Sequence, residues 1–167
     1  MTQQARSRMA RWLLAAFAAL LLAACAAPPR APASPGVQVW TGRLALTVEG
    51  QASQSFSAGF ELKGAPDNGD LTLYNPIGGT LAVLAWSPGT ATLRAGGTQR
   101  QFASLEALAR EATGAPLPVA ALFDWLAGKP TPVEGWEADV AQVAEGRLRA
   151  RRTAPPPAAD LRVVFER

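Results

Sequence analysis

Period-two alternation of apolar and polar residues, broken at short intervals by tight-turn sequences, constrains this chain more than any other feature between Val39 and Phe102. Val39 to Val48 places Trp40, Leu44, Leu46 and Val48 on one face, and Ser55 to Leu62 repeats the pattern through Phe56, Ala58, Phe60 and Leu62. Segments of this kind are half-buried antiparallel strands, because side chains point to opposite faces at successive positions. Pro66-Asp67-Asn68-Gly69 is a tight turn leading into Leu71 to Tyr74. Ser87-Pro88-Gly89-Thr90 has the Pro and Gly placement of a type II turn, and Gly96-Gly97 closes another hairpin. Six short strands by residue 102 form an antiparallel meander.

The period then changes to that of a helix. Ser104 is placed to cap a segment whose Leu105, Leu108, Ala109 and Ala112 share a face, with Gly114 and Pro116 ending it. Pro118 opens a second helix with Val119, Leu122, Phe123 and Leu126 in one apolar stripe, stopped by Gly128 and Pro130. Trp136 to Val143, Arg147 to Arg151 and Leu161 to Phe165 read as three further strands. Roughly nine strands with two inserted helices predict an α+β domain, an antiparallel sheet curved around the helices.

The N-terminus carries a different kind of signal. Arg6, Arg8 and Arg11 precede an uncharged apolar run from Trp12 to Ala24, thirteen residues long and too short to span a bilayer as a helix, which needs about 20. This is a three-part export signal. Leu22-Ala23-Ala24-Cys25 resembles the lipobox of bacterial lipoproteins, which implies a diacylglycerol on the Cys25 sulfur, cleavage before it and acylation of the new amine. Ala26 rather than Asp follows the cysteine, which in proteobacterial sorting implies the outer membrane. We therefore expect a signal peptide over 1–24, a lipidated Cys25 with a proline-rich tether over 25–37, and one domain over 38–167. With Pro28, Pro29, Pro32 and Pro35 among small residues, the tether favours extended polyproline conformation.

The formal charge of +3 belongs to the same segment. Without Arg6, Arg8 and Arg11, thirteen basic groups face thirteen acidic ones, so the basicity gives no reason to expect nucleic acid as a partner. Histidine is absent and Cys25 is the only cysteine, which excludes triads built on imidazole, imidazole zinc sites and an intrachain disulfide. Asp67 and Asp70 flank a hairpin turn rather than forming an acid/base dyad, and neither Gly78-Gly79 nor Gly96-Gly97 has the lysine and helix of a phosphate loop. No catalytic residue, metal site or cofactor is expected.

Two surface features remain. Arg147, Arg149 and Arg151 alternate on one predicted strand; they could meet lipid headgroups or an acidic partner, or simply form a solvated face that guards an edge. In Tyr74-Asn75-Pro76-Ile77-Gly78-Gly79, Asn, Pro and Gly take the first, second and fourth positions of a type I turn and leave Ile77 at its tip. From spacing alone, Ile77 either folds back onto the domain, the reading we place ahead, or meets something apolar outside.

Several of these motifs together resemble the LolB family of outer-membrane lipoprotein receptors: Trp40-Thr41-Gly42-Arg43-Leu44-Ala45-Leu46, Ser55-Phe56-Ser57-Ala58, Leu73-Tyr74-Asn75-Pro76-Ile77-Gly78, and Gly114-Ala115-Pro116-Leu117-Pro118-Val119 continuing to Leu122, Trp125-Leu126 and Gly128-Lys129-Pro130. The resemblance implies an incomplete antiparallel β-barrel with helices over its opening and an apolar cavity for acyl chains. It also implies a protruding loop with an exposed aliphatic residue, which matches Ile77 between Pro76 and Gly78; the family usually has Leu there. Residues expected to line or cover the cavity are Leu44, Leu46, Phe56, Phe60, Leu71, Leu73, Leu105, Leu108, Val119, Leu122, Phe123 and Leu126. The implied partners are a LolA-like periplasmic carrier, the acyl chains of lipoprotein cargo and outer-membrane lipid, with a monomer expected. The rival classes are a structural or accessory lipoprotein with a solid core and a binding protein for another amphiphile. Pro155-Pro156-Pro157 stands where better-known members would have a further hairpin, so a more open barrel is expected.

Overall fold

The computed structural model describes residues 37–52, 55–113 and 117–166. The described residues all belong to one compact unit within Ala33–Arg167. They form nine strands and two helices: β1 (Gln38–Val48), β2 (Phe56–Ala65), β3 (Asn68–Tyr74), β4 (Thr80–Ser87), β5 (Thr90–Ala95), β6 (Thr98–Phe102), α1 (Leu105–Thr113), α2 (Val119–Leu126), β7 (Trp136–Asp139), β8 (Arg147–Arg152) and β9 (Ala159–Glu166).

All nine strands belong to one antiparallel sheet in the order β6-β5-β4-β3-β2-β1-β9-β8-β7. The meander from β1 to β6 occupies one side in sequence order, and the three C-terminal strands attach to the other edge of β1 through β9. β6 and β7 are the two ends of that order and do not pair, so the curved sheet is an open barrel. The expected α+β open-barrel class is the one observed.

Alternation sets which face is inside. Trp40, Leu44, Leu46 and Val48 of β1 are buried, as are Phe60 and Leu62 of β2; across the other ladder Leu44 faces Val163, Leu46 faces Leu161 and Gly42 faces Phe165, all three β9 side chains buried. The apolar sides of both helices close onto this inner face and complete one continuous core. Ser104 caps α1 as the sequence predicts, its Oγ accepting the Ala107 N–H at 3.2 Å. Gly114 and Pro116, the expected stop signals, lie outside the described residues. Phe123 of α2 meets Trp40 edge-on at 5.5 Å and Trp86 at 6.1 Å, which seats the helix between β1 and β4. Trp125 is fully buried and satisfies its indole N–H on the Thr131 carbonyl at 2.8 Å.

Gly42 shows what the Trp40-Thr41-Gly42-Arg43 motif requires. A Cβ there would lie 2.0 Å from the Val164 carbonyl oxygen, so the close pairing of β1 with β9 needs a residue without a side chain.

Several boundaries differ from expectation. β3 starts at Asn68 because Pro66-Asp67 alone make the turn, pairing Ala65 with Asn68. β7 ends at Asp139 instead of Val143: the Asp139 carboxylate accepts the Ala141 N–H at 3.0 Å, turning the chain out of the sheet into a short 3-10 turn over Val143–Glu145. Val143 is buried all the same, which kept the apparent alternation running past the strand end. β8 and β9 are each longer than expected, and Pro155-Pro156-Pro157 fits within the short connection between them.

Candidate functional site

Antiparallel pairing brings the end of β3, the start of β4 and the end of β5 to one end of the barrel, together with the end of β1 and the start of β2. At that end the β3–β4 loop projects. Asn75 organises it: its N–H donates to the Gly79 carbonyl at 2.8 Å, its carbonyl accepts from Gly78 at 3.0 Å, and its side-chain oxygen accepts from Ile77 at 3.1 Å and Gly79 at 2.8 Å. Pro76 supplies a fixed φ at the second turn position, and Gly78 takes φ +88°, a conformation that favours glycine. The turn thus satisfies its own backbone and leaves Ile77 at the tip 93% exposed. The fold-back reading of Ile77 is overturned.

Beneath the loop lies a cavity of about 260 Å³ walled by Leu44, Phe56, Leu71, Leu73, Leu81, Ala82, Leu84, Leu93, Ala95 and Leu117. No polar side chain borders it. A wider depression of about 460 Å³ on the outer face is bounded by Glu137, Asp139, Arg149 and Arg151, so lining chemistry rather than size singles out the apolar one. Leu71 pairs with Leu84 at the cavity floor, and the next inward pair along the ladder is Gly69 with Trp86, where the aromatic packing begins.

Of the twelve side chains expected to line or cover such a cavity, Leu44, Phe56, Leu71 and Leu73 border it. Leu46, Phe60, Leu105, Leu108, Val119, Leu122, Phe123 and Leu126 are buried in the packed core. Sequence reasoning did not name Leu81, Ala82, Leu84, Leu93, Ala95 and Leu117. Period two through Ala82, Leu84 and Trp86, and through Ala91, Leu93 and Ala95, carried the signal for four of them. Leu81 breaks that period and Leu117 sits between elements, so neither could be found by alternation.

Arg147, Arg149 and Arg151 do share the outer face of β8, but β8 is paired on both sides, so they guard no edge. Arg149 and Arg151 both reach Asp160 of β9, which Arg162 also holds at 2.9 Å, while Arg147 lies 3.5 Å from Glu145. Burial pushes the Asp160 carboxyl up, and the hydrogen bonds from Arg149 and Arg162 with their charges outweigh it, leaving the group below its ordinary value. Arg152, at the end of the same strand, is buried and donates to the Pro157 carbonyl, which ties down the proline loop. Cys25, the signal segment and the tether up to residue 36 lie outside the described residues.

The family model for outer membrane lipoprotein LolB matches residues 39–155, which cover both the projecting loop and the cavity. The chain belongs to the LolB family. Outer-membrane lipoprotein LolB of Bordetella petrii is 39% identical over 127 residues, 73% of this chain and 63% of its own length. The Cupriavidus pinatubonensis protein of that name is 37% identical over 143 residues (81% and 68%), and the Chromobacterium violaceum one 32% over 131 residues (74% and 71%). The chain therefore spans a little under two thirds of the length of its Bordetella petrii relative. As in those LolB proteins, the outer membrane is its location. The matched region stops before β9, yet β9 is hydrogen-bonded between β1 and β8 and joins the two parts of the sheet.

Proposed function

We propose that this LolB-family protein, anchored through a lipidated Cys25, accepts lipoproteins from a soluble LolA-like periplasmic carrier and releases their acyl chains into the inner leaflet of the outer membrane. The observation that carries this reading is the placement of an apolar cavity and a fully exposed aliphatic tip at one end of the barrel. A structural lipoprotein with a solid core has no use for either.

Magnitudes shape the mechanism. An apolar cavity of about 150 Å³ takes up a benzene molecule, so this one shelters about ten carbons, the end of one acyl chain. At ~0.8 kcal/mol per CH₂ that burial is worth about 8 kcal/mol, a micromolar affinity before ordering costs are deducted. The remainder of a multiply acylated cargo stays in contact with the carrier or the bilayer, so transfer is a handover at the mouth. If each acceptor along the route binds the chains more tightly than the last, cargo moves downhill with no covalent step and no nucleotide. Ile77 adds about 2 kcal/mol on entering hydrocarbon, enough to bring the mouth to the leaflet and too little to hold it there.

Ile77→Glu tests the wedge, since a carboxylate at the tip must be desolvated to enter the leaflet. The variant should fold and accept cargo from loaded carrier, yet fail to deliver it to liposomes. Delivery at the wild-type rate would refute the role given to Ile77, and failure of the wild-type protein to take cargo would refute the receptor function.

A further inference from the structure

Leu81 sits where the ladder between β3 and β4 slips. Leu73 pairs with Ala82 and Tyr74 with Thr80, so Leu81 is the extra residue of a bulge. In a regular strand, neighbours point to opposite faces, and Leu81 would point outward as Val83 does. A bulge re-aims the unpaired side chain, and here Leu81 and Ala82, consecutive in sequence, wall the same cavity. Leu81 is also 46% exposed, an unusual cost for a leucine on a strand that buries Leu84 and Trp86. Only three residues separate it from the exposed Ile77 tip.

Building on the function proposed above, we infer that Leu81 is the lip of the cavity: an acyl chain slides over it between the tip and the interior, and its exposed half becomes covered when a chain is seated. The bulge is the device that turns it inward. Bulges collect at barrel rims and beside functional sites because an unpaired residue can be aimed without disturbing the rest of the ladder.

The test uses the full chain in bacteria that produce it, grown with tritiated palmitate. A photoreactive benzoylphenylalanine at Leu81 should give a tritiated band shifted upward by the mass of a cargo lipoprotein, while the same probe at Val83, two residues along the strand, should leave only the unshifted band, which the chain's own Cys25 lipid labels in either case. Adduct mass separates the two sources, since a cargo lipoprotein shifts the band by its own mass and a phospholipid scarcely moves it. With the probe at Leu93 inside the cavity, Leu81→Asn should lower captured cargo about fivefold, the worth of covering half a leucine side chain, and Leu81→Met should restore it. Capture at Leu93 with Leu81 no better than Val83 would overturn the lip while leaving the cavity in place. No cargo captured at Leu93 in the otherwise wild-type chain would refute the underlying function instead. Should Leu81→Asn fail to accumulate, the comparison of probes at Leu81 and Val83 decides the matter alone.

Discussion

The two halves of the barrel interior between β3 and β5 are built from the same alternating pattern, yet one is packed and the other is open. At the packed end, Trp40, Trp86 and Phe123 stack edge to face, and the Trp86 indole N–H reaches the Ala65 carbonyl at 3.2 Å. At the open end, small residues face each other across the ladder: Ala82 pairs with Ala95, and the larger walls are aliphatic. Three aromatic side chains fill the space a barrel of this width encloses, whereas alanines and leucines leave some of it unfilled. The difference teaches that the tightly packed layer and the layer we propose to receive acyl chains are separate parts of one sheet, so each can be altered without the other.

The largest expected effect tests the packed layer. Phe123→Ala removes the ring that locks α2 between β1 and β4 and should cost about 3–5 kcal/mol, read as a lowered urea midpoint. A cost below about 1 kcal/mol would mean that the helices are held elsewhere and that the two layers are not distinct. The next effect tests the open layer. Ala82→Leu adds three carbons to the cavity and should leave stability unchanged or raise it by about 0.5–2 kcal/mol, as cavity filling commonly does. Capture of acyl chains by a probe at Leu93 should fall with it. A strongly destabilised Ala82→Leu would show that this end is as tightly packed as the other.

Sequence made the sheet legible because most strands of the meander alternate with period two and the turns between them carry turn residues; Ser104 and Pro118 likewise marked both helices. It could not divide the apolar residues into packing and lining. Phe60 and Phe56 stand on one face of one strand, four positions apart, and only the size of what stands opposite decides that Phe56 borders the cavity and Phe60 does not. Leu81 was invisible for a different reason: a bulge is a property of the pair of strands, and period two within one strand predicts the wrong face. The tip was half legible. Turn chemistry located Ile77, but its exposure depended on Asn75 saturating the loop backbone, a three-dimensional outcome.

The smallest expected effect comes from the outer face and sharpens the comparison by acting on neither layer. No ionisable side chain borders the cavity, so mild acid should leave its lining unchanged. Asp160 supplies an acid-sensitive term instead. Its carboxyl lies below its ordinary value of 3.8 in the folded protein because Arg149 and Arg162 hold the charged form against the cost of burial. A depressed carboxylate contributes stability that is fully present above the unfolded value and lost as pH falls through the folded one. The loss therefore sets in below about pH 4, and with partners this exposed it amounts to about 1 kcal/mol or less. Asp160→Asn should flatten the urea midpoint between pH 4 and pH 2 relative to wild type, and at pH 7 leave Arg149, Arg151 and Arg162 crowded without their shared anion. An unchanged acid slope in Asp160→Asn would assign the sensitivity to other carboxylates.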